Sequence, residues 1–121
     1  MDELIDRLTA KVGLDKDVAG KTIGIILGFL RSEGPTDKVQ ALIDTIPGAE
    51  AAIESAGGRG LMGRLMGGGV MALGAKLMGL GLGMSEINSV ARELFKFGRD
   101  KIGAERMGEI VAGTPGLSQF S

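Results

Sequence analysis

The chain has 121 residues, a formal net charge of −1, and neither Cys, His, Trp nor Tyr. That length bounds one domain with a moderate core, filled by Ile, Leu, Val, Ala and Met because only four Phe supply aromatic bulk. These absences exclude disulfides and thiolate chemistry, and the near-zero charge excludes a global field for nucleic acid or anionic lipid.

The predicted elements are helices throughout. Residues 3–12 place Leu4, Ile5, Leu8 and Val12 on one face, and Gly13 stops them. Asp15 can N-cap a second helix to about Ser32, whose apolar arc holds Val18, Thr22, Ile25, Ile26, Phe29 and Leu30. Gly34-Pro35 breaks the chain. Thr36 or Asp37 then caps a third helix carrying Val39, Leu42, Ile43 and Ile46. After Pro47-Gly48, the short helix AEAAIESA runs to Gly57-Gly58. Residues 57–69, GGRGLMGRLMGGG, form a low-complexity connector. A helix follows over 70–80. Ser85 caps a long helix over 86–101, with Ile87, Val90, Ala91, Leu94 and Phe95 inward. Gly103 separates it from a helix over 104–112 with Met107, Ile110 and Val111. Thr114-Pro115-Gly116 leads to a tail, 118–121, which Phe120 can pin. No segment alternates with period two over strand length, so the fold class is all-α.

The chain also carries an altered copy of itself. Ala10-Lys11-Val12 matches Ala75-Lys76-Leu77. Val18, Thr22, Ile25 and Ile26 match Ile87, Ala91, Leu94 and Phe95. Val39, Leu42, Ile43 and Pro47-Gly48 match Met107, Ile110, Val111 and Pro115-Gly116, at offsets that move from 65 to 69 to 68. The expected architecture is a pseudo-duplicated helical bundle within a single domain. Two half-units, 3–56 and 70–117, are joined by the Gly/Met-rich connector. Residues 1–56 hold ten acids and six bases, and 57–121 hold five acids and eight bases. Oppositely charged halves are expected to dock on each other, within the chain or between chains.

Three features could carry function. Gly20, Gly24 and Gly28 recur every fourth residue of the second helix, a spacing that drifts by only about 40° per step. Each costs roughly 1 kcal/mol relative to Ala, so the line should gain something, the usual gain being close approach of another helix. The wheel sets it opposite the Ile25/Phe29 face, as an expected subunit interface. The matching positions of the second half, Ser89, Glu93 and Phe97, do not keep it. The second feature is the Gly/Met-rich centre. Five of the seven Met lie in 62–84, with Met62, Met66 and Met71 as further interface candidates. Residues 65–84 hold one charge, Lys76, in a run long enough to cross a bilayer, although seven of its twenty residues are Gly. The third is a basic stripe, Arg92, Lys96 and Arg99, with Lys101 nearby. Glu93 and Asp100 interrupt it, and no Tyr or Trp is present to stack on bases.

Catalysis has little to work with. Without His and Cys, a nucleophile would need Lys or a carboxylate as its base. The tight carboxylate groups Asp2/Glu3/Asp6 and Asp15/Asp17 lack the length and glycine placement of a calcium loop. No catalytic residue, metal or cofactor is expected. The acidic, amphipathic start, MDELIDRLTA, does not read as a signal peptide, which makes the cytoplasm the expected compartment.

The segments LTAKVGLDKDVAGKTIGIILGFL, VQALIDTIPGAEAAI and ALGAKLMGLGLGMSEINSVARELFKF, with the glycine-rich spacer between them, resemble small bacterial proteins of the VcgC/VcgE type, and more loosely YidB-like proteins. The resemblance covers nearly the whole chain and implies a soluble, mostly helical bacterial protein. It brings no activity or cofactor with it. The functional expectation is therefore a non-catalytic module that binds itself, as a homo-oligomer, or another protein. A membrane-associating protein using 65–84 is the alternative, and weak nucleic-acid binding through the basic helix face comes after it.

Overall fold

The computed structural model describes the backbone of residues 2–55 and 70–114, and their side chains except at 32, 33, 55 and 70–72. Seven helices and no strand lie among these residues: α1 (Asp2–Lys11), α2 (Lys16–Glu33), α3 (Thr36–Asp44), α4 (Ala49–Ser55), α5 (Val70–Gly79), α6 (Met84–Ile102) and α7 (Ala104–Gly113). The chain is all-α, as its periodicity requires. The connector 57–69, Met62, Met66 and the tail 118–121 lie outside the described residues, and so does the side chain of Met71.

Helix ends follow local chemistry. At Gly13 the backbone turns left-handed, with φ +84°, and the N–H groups of Val12 and Gly13 both donate to the Leu8 carbonyl at 2.9 and 3.2 Å. Gly81 does the same after α5, with φ +94°. Its N–H reaches the Met78 carbonyl at 2.9 Å, while the Leu82 N–H reaches Leu77 at 3.3 Å. This pair of bonds is a Schellman close, and its usual apolar contact is supplied by buried Leu77 and Leu82. The 65–84 run is therefore not one helix, since α5 stops at Gly79 and α6 begins at Met84.

The caps of α3 and α6 and the end of α3 differ from expectation. Pro35, not Thr36 or Asp37, holds the N-cap position of α3, and Thr36 and Asp37 lie in its first turn. The N-cap of α6 is Gly83 rather than Ser85, because extended Gly83 donates its N–H to Glu86 Oε1 at 3.0 Å and starts the helix two residues early. Ile46 lies beyond α3. Thr45 and Ile46 donate to the carbonyls of Leu42 and Ile43 at 3.1 and 3.0 Å, a tighter winding that still turns Ile46 into the core.

The bundle is organised by its two long helices. Helix α2 packs against α1, α3, α4 and α5, and α6 packs against α1, α3, α5 and α7. Helices α1, α3 and α5 each touch both, so a single core is shared. Leu4, Leu8, Ile23, Leu27, Leu30, Leu42, Leu77 and Leu94 are wholly buried in it. Complete burial of such a side chain contributes about 1.5–3 kcal/mol. The buried hydroxyls of Thr22 and Thr114 donate to the Val18 and Ile110 carbonyls, both at 2.7 Å. No buried side-chain nitrogen or oxygen among the described residues lacks a partner.

Opposite charges meet across the middle of the chain. Arg7 pairs with Asp100 at 3.3 Å, Lys101 with Glu3 at 3.6 Å and Lys38 with Glu109 at 2.8 Å. Arg7 and Lys101 also lie 5.4 and 5.2 Å from the centre of the buried Phe97 ring. Exposed pairs contribute only about 0.2–1 kcal/mol each, so the clasp orients α1 on α6 more than it supplies cohesion. Behind it, Gly34 and Gly113 press against Thr114 and Pro35, and a Cβ on Gly113 would lie 3.0 Å from Pro35 Cδ.

Candidate interaction surface

The glycine line of α2 points inward. A Cβ on Gly20 would sit 3.8 Å from Ile5 Cδ1 of α1, and one on Gly28 would sit 3.4 Å from Ile53 Cγ2 of α4; Gly24 is buried. The close approach that such spacing permits is thus made within the chain, by α1 near one end and α4 near the other. An ion pair between Arg31 and Glu50 fixes α4 beside the line. The opposite face is the less covered one: Val18, Ile25 and Phe29 are only partly buried. Ile23 and Leu27 are fully buried although the helical wheel left them out of the apolar arc. The residue content of α2 contains the reason, for from Val18 to Leu30 it has one charge, Lys21, and a helix apolar on all sides is an interior helix.

Large apolar side chains surface elsewhere. Met78 is 51% exposed and Met84 57% exposed, and they flank the α5–α6 turn. Gly79, Gly81 and Gly83 are exposed between them, Leu80 is partly buried and Leu82 is buried. No charge occurs from Leu77 to Ser85. Sequence reasoning noted the methionine density but favoured Met62, Met66 and Met71. What it passed over was that glycine at 79, 81 and 83 forces a turn, which lifts the flanking methionines out of any helix–helix seam.

The α1–α2 turn provides a control for this surface. With the left-handed glycines Gly13 and Gly81 in register, Leu14 falls on Leu82, and both are buried. Around them, Ala10, Lys11, Asp15 and Lys16 fall on Met78, Gly79, Gly83 and Met84. The same backbone device carries charge at one site and bare apolar surface at the other.

The basic stripe is also on the outside. Arg92, Lys96 and Arg99 are exposed on α6 and form no ion pair among the described residues. Lys101 is held by Glu3. Among the described residues no group of His, Cys, Asp or Glu could hold a metal ion, and no helix is long and apolar enough to cross a membrane.

No protein-family model, curated protein or solved structure matches this chain.

Proposed function

We propose that this protein is a non-catalytic helical interaction module that associates with itself or with another protein. The observation that carries the reading is the α5–α6 turn. Among the described residues, Met78 and Met84 are the large apolar side chains left more than half exposed, and they stand at either end of an uncharged stretch of chain that turns between two helices. Single exposed apolar residues are ordinary, but a cluster emptied of charge favours burial against a partner. Methionine suits such a surface because its flexible thioether adapts to irregular contacts.

A duplicated origin fits the same reading. The order α1, α2, α3 is matched by α5, α6, α7. Helix ends at Lys11 and Gly79 favour an offset of 68 for the first segment, in place of the 65 that the Ala-Lys match suggests. Buried Leu4 and Leu8 then have counterparts one residue further on, in Leu73 and Leu77. The packing is reciprocal as well, with α1 lying on α6 and α5 lying on α2. Helix α4 has no such counterpart among the described residues.

Size-exclusion chromatography with light scattering, on untagged protein without detergent, tests the proposal. A discrete dimer or larger assembly is the expected result. A monomer at every concentration, with no protein captured from a lysate, counts against it.

A further inference from the structure

The residues of the α5–α6 turn read the same in both directions. Residues 78–84 are Met-Gly-Leu-Gly-Leu-Gly-Met, centred on Gly81. The symmetry extends outward in complementary form, because the first charge on one side is Lys76 and the first on the other is Glu86. Lys76 is exposed and forms no ion pair among the described residues. Glu86 spends Oε1 on the Gly83 N–H and remains partly accessible.

A closed two-subunit contact must present one patch to itself, so that each residue meets its mirror position about the axis. A pairing centred on Gly81 would set Met78 against Met84 of the second copy and Lys76 against Glu86 of the second copy, so that opposite charges meet at both ends. Exposed glycines at 79, 81 and 83 let the two backbones approach closely. We infer that the α5–α6 turn is a twofold docking surface for a second copy of this chain, with methionine contacts inside and two Lys–Glu pairs at the rim. The inference rests on the self-association reading above and narrows it to one partner and one face.

Two measurements on the whole chain test it. In light scattering over a concentration series, Met78→Lys/Met84→Lys is expected to weaken dimerisation by at least about tenfold with unchanged helical circular dichroism, since both side chains face solvent. The second uses the absence of native cysteine. Met78→Cys and Met84→Cys, each made singly and then mixed, should form a disulfide-linked heterodimer under mild oxidation. That product should exceed either variant oxidised alone, and an exposed Lys21→Cys control. If the methionine double variant dimerises as well as the parent, or the mixture cross-links no better than the control, this face is not the interface, although self-association through another face stands. A monomeric parent overturns both readings. A monomeric parent that sediments with phosphatidylglycerol vesicles, and loses that binding in the double variant, assigns the turn to a lipid surface instead.

Discussion

Helices α2 and α6 are nearly equal in length, 18 and 19 residues, yet they occupy different environments. Ile23, Leu27 and Leu30 of α2 are fully buried. The residues 69 positions later are Arg92, Lys96 and Arg99 of α6, all exposed. The face of α2 that they bracket is covered by α4, whose Ile53 sits over Gly28. The residue 69 positions beyond Gly28 is Phe97, which takes Arg7 and Lys101 on its ring instead of a helix on its backbone. Helical periodicity is similar in both. What differs is not the number of neighbours, four for each helix, but which of its faces they leave open, and the side chains have followed: small and aliphatic where α4 lies on α2, long and cationic where α6 meets water.

Exchanging residues between the two helices breaks this contrast most severely. Leu27→Lys, which installs the α6 residue in α2, strands a charge in the core and should abolish the cooperative thermal transition. The reverse exchange, Lys96→Leu, should leave the melting free energy within about 0.5 kcal/mol of the parent. Equal losses from the two would show that both faces are covered. The glycine line sharpens the comparison at smaller amplitude and with opposite signs. Gly28→Leu pushes into Ile53 and should cost about 1–3 kcal/mol, whereas Gly20→Ala finds ordinary contact with Ile5 and should stabilise by up to about 1 kcal/mol through helix propensity. Denaturant titrations of the two variants would separate a packed line from an open one. A comparably small effect is expected at the clasp. Arg7→Ala removes one ion pair and one ring contact, for about 1 kcal/mol, and part of that loss should vanish in concentrated salt.

The all-α class, the order of the helices and most of the core were legible in the residues, because 3.6-residue periodicity and glycine or proline stops are local properties. Val39, Leu42, Ile43, Met107, Ile110 and Val111 are all buried where the spacing puts them. The misjudged parts depend on packing that no local window contains. Of the apolar arc expected on α2, Thr22, Ile26 and Leu30 are buried but Val18, Ile25 and Phe29 only partly so, because a helical wheel weighs side-chain size and gives glycine no role in burial. Once α1 and α4 lie on Gly20 and Gly28, the neighbouring Ile23 and Leu27 are enclosed too. The exposed methionines were hidden in a run that reads as uniformly apolar. Only the left-handed close at Gly81 reveals that the run bends, and a bend converts interior composition into surface. The charge imbalance between the two parts of the chain was visible, but its pairing of Arg7 with Asp100 required the fold.

That last pairing also bears on how the protein is made. Arg7 and Asp100 are 93 residues apart. Helix α1 therefore leaves the ribosome long before the helix that closes over it, and at ordinary synthesis rates it waits roughly 5–20 seconds. During that interval Leu4 and Leu8 have only α2 and whatever else has emerged to cover them. The part of the chain made first carries ten acids and six bases in residues 1–56, so like charge opposes association between nascent copies during that interval.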